Sequence, residues 1–115
     1  MIIDKNYSIE YIDAGNKILF IGNLRLRSVN KYDEILDFIL EIAYNTNEPL
    51  FLDLTKLGII NISGIAALGM ACVKTRNIHK KIVIQASKYI PWQVDTLDDF
   101  KMINNEIDIE YVVRH

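Results

Sequence analysis

The chain has little of what several classes of protein site require. It contains one cysteine, Cys72, so no intramolecular disulfide can form, and this lone thiol is predicted to be a small buried hydrophobe in a reducing compartment. The two histidines, His79 and His115, do not share a metal-ligand spacing with Cys72. The sequence therefore predicts no disulfide, no metal site and no catalytic metal.

An excess of either charge is also missing. Lysine and arginine number 13 against 15 aspartate and glutamate residues, and the net charge is −2. With no basic surplus to neutralise phosphates, nucleic acid is not expected as a partner. The first residues lack the charged segment and long apolar core of a signal peptide, which predicts a cytoplasmic protein.

A long uninterrupted apolar segment is absent as well. Residues 57–73 carry no charge, but 17 residues are at the short end for a membrane-spanning helix. The stretch also contains Asn61, Ser63 and three glycines. A strand, a loop and a helix explain its periodic apolar content better, so no membrane insertion is expected.

The chain is organised around residues 50–77. An apolar run from Leu50 to Leu54, interrupted only by Asp53, is typical of a strand buried on both faces. A loop is expected next, and then the period becomes helical. The predicted buried stripe of this helix consists of Ile65, Leu68, Gly69, Cys72 and Val73.

Similar patterns predict the other elements. Strands are expected at residues 7–12, 17–21, 82–84 and 107–113, and helices after Ser28 or Asn30 and after Pro91. The apolar stripes of these helices are Ile35, Leu36, Ile39, Ile42 and Ala43 in the first, and Val94, Leu97, Phe100 and Ile103 in the second. The order β-β-α-β-α-β-α-β predicts one α/β domain over residues 1–115. Its sheet should be mostly parallel, with the first strand as an antiparallel edge.

This arrangement resembles the STAS domain, the sulfate transporter and anti-sigma factor antagonist family. The resemblance rests on a strand ending in aspartate-leucine at residues 53–54, a serine-glycine step and an alanine- and glycine-rich helix. Element order and length match over essentially the whole chain. The usual signature is an aspartate, a small hydroxyl residue, a serine and a glycine, and here Asn61, Ile62, Ser63 and Gly64 stand in those places.

The resemblance implies a non-enzymatic regulator that acts by protein–protein docking. In anti-anti-sigma factors, a partner serine kinase that doubles as an anti-sigma factor phosphorylates the residue at the place of Ser63. Other STAS proteins lack the signature and serve as scaffold subunits of larger assemblies, including phospholipid-transport ATPases. Asn61 and Ile62 favour this alternative.

Two roles for Ser63 follow from the residues alone, and both stay open. Serine at a helix start commonly caps the helix. It can also be phosphorylated there, because free N–H groups and the helix dipole tolerate a phosphate charge of roughly −1.5 to −2. An apolar or acidic partner surface would be repelled by that charge.

The helix at residues 65–77 also offers a surface. Ala66, Ala67, Met70 and Lys74 are predicted to lie opposite its buried stripe, where charged residues are usual. With Ile62 they would form an apolar patch beside Ser63, unless a loop covers Met70. The predicted partner-binding set is Asn61, Ile62, Ser63, Gly64, Ala66, Ala67, Met70 and Lys74.

Catalysis and nucleotide binding have weaker support. Ser63 has no Gly-Xaa-Ser-Xaa-Gly context, and His79 should lie near the far end of the same helix. Gly58 and Gly64 match neither a dinucleotide-binding motif nor a P-loop. The chain is therefore expected to be no enzyme and to use no cofactor, and a small-molecule ligand is not favoured.

Overall fold

The computed structural model describes residues 1–112. Their strands are β1 (Ile2–Ile3), β2 (Tyr7–Ile12), β3 (Lys17–Leu24), β4 (Leu50–Ile60), β5 (Ile82–Ser87) and β6 (Asp108–Val112), and their helices are α1 (Val29–Asn45), α2 (Ile62–Asn77) and α3 (Pro91–Ile103). The predicted α/β class and element order are confirmed, with one short strand added at the start. Val113, expected to end the last strand, lies outside the described residues. None of the helices in residues 1–112 is both long and apolar enough to cross a membrane.

The strands form one sheet in the order β1-β2-β3-β4-β5-β6. The first two pairings are antiparallel and the other three are parallel. The prediction that β2 is the edge strand is wrong, because β1 pairs with it through Ile2 opposite Ile9 and Ile3 opposite Ser8. A two-residue strand is too short to leave a periodic signal in the sequence.

All three helices pack on one face of the sheet. Parallel strands that follow one another in this order, joined by right-handed crossovers, have their helices on the same side. A single core cluster accordingly contains Ile39, Leu68 and Leu97, one from each helix. The prediction that β4 is buried on both faces is therefore confirmed only in part. Leu50 and Leu52 are buried in the core, whereas on the other face Phe51 is only half-buried and Asp53 is buried.

Strand β4 continues six residues beyond its predicted end. Its later part pairs with β3 up to Leu24 opposite Ile60, with two register shifts that break the apolar alternation. On the other side β5 pairs only as far as Asp53. There the side chain of Gln93 donates to the Leu54 carbonyl at 2.6 Å. Side-chain donors from α3 thus replace the missing strand partner.

The α1 stripe is confirmed at Ile35, Leu36, Ile39 and Ala43, and Ser28 caps this helix by accepting from the Lys31 N–H at 3.2 Å.

In α3, Leu97 and Phe100 are buried as predicted, but Val94 is 45% exposed. The buried residue in that turn is Gln93, which also accepts from the Ser87 N–H at 2.8 Å. A polar side chain at a core position carries no apolar signal, so the sequence pattern missed it.

The buried face of α2 is rotated from its predicted position. Ile65, Gly69 and Val73 are only half-buried. The face that packs on the sheet consists of Gly64, Ala67, Leu68, Ala71, Cys72 and Thr75. Because this helix is apolar or small on nearly every side, its period does not select one stripe. Small residues bring the helix close to the sheet, which decides the orientation.

Candidate functional site

A single residue, Asn61, connects β4 to α2. Its side-chain Oδ1 accepts a hydrogen bond from the Gly64 N–H at 2.9 Å, so Asn61 is the N-cap of α2. Ser63 lies inside the first turn and does not cap the helix. The interpretation of Ser63 as a cap is therefore wrong, and the hydroxyl is left for another role.

The Asn61 amide also holds the loop between β3 and α1. Its Nδ2 donates to the Leu26 carbonyl at 2.9 Å, and its Oδ1 accepts from the Leu26 N–H at 3.1 Å. The Asn61 backbone N–H donates to the Leu24 carbonyl at 3.1 Å. An amide can donate and accept at once, whereas an ionised aspartate can only accept. The asparagine thus fits this clamp as an aspartate could not.

Gly64 is required by the close approach of α2 to the sheet. A Cβ at this position would lie 2.6 Å from Cγ1 of Ile60 and 2.9 Å from the Leu24 carbonyl oxygen. Both distances are below van der Waals contact. Gly64 is buried, and its predicted partner contact would need its backbone, because it has no side chain and no room for one.

Ser63 is exposed, and its hydroxyl makes no hydrogen bond to the described part of the chain. It borders an open groove of about 310 Å³ whose other lining residues are Ser28, Val29, Tyr32 and Asp33. Both α1 and α2 begin at this groove, so the positive ends of two helix dipoles meet beside Ser63. Asp33 is the acidic residue in its lining.

Large apolar side chains flank this groove. Ile62 is 86% exposed and Val29 is 74% exposed, and Met70 is 37% exposed two turns along α2. Helical geometry puts Ile62, Ser63, Ala66 and Met70 within about 100° of one another around α2. We call Val29, Ile62, Ser63, Ala66 and Met70 the docking face.

The predicted partner-binding residues divide into three groups. Ile62, Ser63, Ala66, Met70 and Lys74 are exposed, as expected. Asn61 is half-buried in the clamp. Gly64 and Ala67 are buried. The prediction that Ala67 faces solvent is therefore wrong, and the rotation of α2 is the reason. Val29 was missed, although an apolar residue directly after the Ser28 cap of α1 was a signal for it.

The histidine and the cysteine of the described chain are not placed to activate Ser63. His79 follows the far end of α2, about 24 Å away by helix rise. Burial raises the pKa of the Cys72 thiol to about 12, so it stays protonated. Among residues 1–112 no group of three or more His, Cys, Asp or Glu side chains is placed to hold a metal ion.

Asp53, a buried carboxylate of β4, is held by a local network. Burial by itself raises the pKa of this carboxyl. Hydrogen bonds from the Thr55 hydroxyl at 2.6 Å and N–H at 3.0 Å, with the Lys17 ammonium at 3.3 Å, outweigh burial and hold the pKa below its ordinary value. All of its neighbours stabilise the ionised form, which is the pattern of a structural carboxylate.

Comparison with known proteins gives a structural match. No family model matches the sequence, and no curated protein matches it either. The chain superposes on the crystal structure of a protein from Thermotoga maritima proposed to be an anti-sigma factor antagonist, with a TM-score of 0.59. The match has 11% sequence identity and covers 93% of this chain and 86% of that one. The chain therefore has the STAS-type fold, as its element order and the stretch around Ser63 predicted.

Proposed function

We propose that this protein is a non-enzymatic regulator that binds an anti-sigma factor or a related regulatory protein on the docking face. The observation that carries the proposal is the exposure of Ile62 beside the unengaged hydroxyl of Ser63. A helix start usually presents polar side chains, and contiguous exposed apolar residues are typical of interaction surfaces. The fold shared with a proposed anti-sigma factor antagonist supports the same function.

Phosphorylation of Ser63 by a serine kinase would control this binding. The phosphate would bring roughly −1.5 to −2 charges to a site where two helix N-termini offset them, so the domain should stay folded. The same charge would lie between Val29 and Ile62 and would have to be desolvated against an apolar partner. This desolvation cost favours release of the partner, whereas Asp33 repels the phosphate within the domain itself.

The direct test is incubation with ATP and the serine kinase encoded near the protein's own gene, followed by intact mass measurement. The wild-type chain should gain one phosphate and Ser63→Ala should gain none. Fragment masses must separate Ser63 from Ser28, the other exposed serine. Equal labelling of Ser63→Ala would refute the site, and labelling at Ser28 would move the switch to the start of α1.

A second candidate is a constitutive scaffold subunit of a larger assembly. Asn61 favours it, because both polar atoms of its side chain are engaged in the clamp on Leu26 and it supplies no carboxylate at the place of the usual aspartate. The two candidates differ in their response to charge at Ser63. If Ser63→Asp binds the partner as wild type does while Met70→Glu does not, the scaffold function is supported and the switch is not.

The proposal includes action in the cytoplasm, without cofactor, metal or nucleic acid.

A small-molecule sensor is the remaining alternative. A ligand that binds only the native state raises the melting temperature by mass action. Because the proposal includes no small-molecule ligand, nucleotides and metabolites screened by thermal shift should leave the melting temperature unchanged. A saturable increase would contradict the proposal.

A further inference from the structure

A second groove lies at the other end of the molecule. It runs between the turn joining β2 to β3 and the end of α1, and continues along the loop before β4. Two adjoining cavities of about 560 Å³ and 390 Å³ form it, and they share Tyr11, Asp13, Asn45 and Thr46. The groove reaches Phe51 at the start of β4, and Ser63 follows the end of this strand, so the two sites lie roughly 30 Å apart.

This groove is acidic in a nearly neutral chain. Among the described residues, its lining includes Glu10, Asp13, Glu41 and Glu48 and no lysine, arginine or histidine, and its only cationic group is the terminal ammonium of Met1. In residues 1–112 none of these four carboxylates forms an ion pair, whereas Asp4, Asp53 and Asp108 each do. The last turn of α1 carries no basic residue, and the cation at this helix end is Lys80, whose ammonium donates to the carbonyl of the C-cap residue Thr46 at 2.7 Å.

The groove also has an apolar wall. Tyr11, Phe38 and Ile42 line it and are only half-buried, although each packs against the core from its inner side. A site for a simple hydrated cation does not need aromatic and aliphatic side chains. Apolar walls with carboxylates around them suit an apolar side chain that has cationic neighbours.

The walls are fixed in position by hydrogen bonds. Asn16 accepts from the Tyr11 hydroxyl at 2.8 Å, and its amide donates to the Pro49 carbonyl at 2.8 Å and to the Asn47 carbonyl. These bonds tie the β2–β3 turn to the loop before β4. A groove that exists before binding loses less conformational entropy when it is filled.

We propose that this acidic groove binds a basic, extended segment of a partner protein, with arginine or lysine side chains on the four carboxylates and one apolar side chain against Phe38 and Ile42. The inference is independent of the proposed function at Ser63. The two surfaces lie near opposite ends of β4, so both can be occupied at once, and the domain could bridge two proteins.

The test is an NMR titration. A blocked hexapeptide of alternating arginine and leucine is added to the isotope-labelled protein, and the amide shifts are followed. Amide shifts should be confined to residues around Tyr11, Glu41 and Thr46, and binding should weaken as salt is raised. A peptide of alternating arginine and glycine should bind at least about fivefold more weakly, because it lacks the apolar side chains.

Variants of equal charge provide the matched control. The triple variant Glu10→Gln, Asp13→Asn and Glu41→Gln should weaken peptide binding about tenfold or more. A second triple variant, Asp95→Asn, Asp99→Asn and Glu106→Gln, removes three exposed carboxylates outside the groove and should weaken binding by less than about twofold. If either variant fails to fold, the residues whose amide signals shift in the wild-type protein still show whether the peptide binds in the groove.

Four outcomes of the peptide titrations would overturn the proposal. They are no binding at millimolar peptide, shifts centred on another surface, equal weakening by the two triple variants, and equal affinity for the arginine–glycine peptide. Spermidine binding at the same residues with the affinity of the arginine–leucine peptide would also overturn it, because the groove would then be a polyamine site.

Discussion

Replacing Asn61 by aspartate tests why this chain differs from the usual STAS signature. The carboxylate can still accept from the Gly64 and Leu26 N–H groups, as Oδ1 does now at 2.9 Å and 3.1 Å. It cannot donate to the Leu26 carbonyl, which now accepts from Nδ2 at 2.9 Å. Two oxygens would then face each other near the buried Leu26.

The expected cost follows from these bonds. Leaving a buried carbonyl without its donor costs about 1–3 kcal/mol, and a carboxylate at a helix N-terminus returns about 0.3–1 kcal/mol. Asn61→Asp should therefore lower the free energy of unfolding by about 1–2 kcal/mol. Asn61→Ala removes the cap and both bonds to Leu26, and should lower it by about 2–4 kcal/mol.

Urea denaturation at pH 7 measures both changes from the midpoint, provided the slope stays constant. Asn105, which is exposed and has no hydrogen bond through its side chain in the described residues, is the control. Asn105→Asp and Asn105→Ala should stay within about 0.5 kcal/mol of wild type. The reasoning about the clamp is wrong if Asn61→Asp is as stable as wild type, or if it is less stable than Asn61→Ala.

Three further predictions concern residues that support the site. Gly64→Ala should destabilise the fold by about 1–3 kcal/mol through its clash with β4, whereas Gly69→Ala, with 3.7 Å of clearance, should stabilise α2 by about 0.5–1 kcal/mol in urea denaturation. The lowered pKa of Asp53 means that its contribution is present above the ordinary carboxyl pKa and is lost as the pH falls through the lowered value. Asp53→Asn should therefore be less stable than wild type at pH 7, with a deficit that shrinks towards pH 3, as urea midpoints across this range will show. Raising the thiol pKa from 9.0 to about 12 lowers the thiolate fraction of Cys72 about 1,000-fold at pH 8, so the native protein should react with a thiol reagent only after unfolding.

Each of these has a clear contrary outcome. Equal effects of the two glycine variants would mean that α2 does not approach the sheet as closely as the structure has it. If the stability deficit of Asp53→Asn stays constant from pH 7 to pH 3, the native structure does not stabilise the ionised form of the Asp53 carboxyl. Stoichiometric labelling of native Cys72 at the rate of the urea-unfolded chain would place the thiol at the surface.

The sequence predicts the type and order of the long elements because their apolar periods are strong. It does not predict where β4 ends, since register shifts break the alternation and the partners there are the side chains of Trp92 and Gln93. Nor does it orient α2, whose apolar and small residues allow more than one buried face. The close packing of Gly64 against Ile60 and Leu24 decides which face of α2 is buried.

The site was predicted in part for similar reasons. The sequence predicts the exposure of Ser63, Ile62 and Met70, although it does not fix the orientation of α2. The contribution of Val29 depends on where α1 begins relative to α2, which is a tertiary property. The role of Asn61 depends on its contact with Leu26, 35 residues away, and no local pattern carries that information.

Whether the docking face binds a protein is the central question, and one comparison of affinities answers it most directly. The partner recovered with the wild-type chain from its own cells should be purified and titrated against Ile62→Glu and against Met102→Glu, a control residue of α3 that is 88% exposed. A buried anchor contributes 2 kcal/mol or more, so Ile62→Glu should weaken binding about 30-fold or more, and Met102→Glu should bind as wild type does. Equal affinity of Ile62→Glu and wild type would contradict the account.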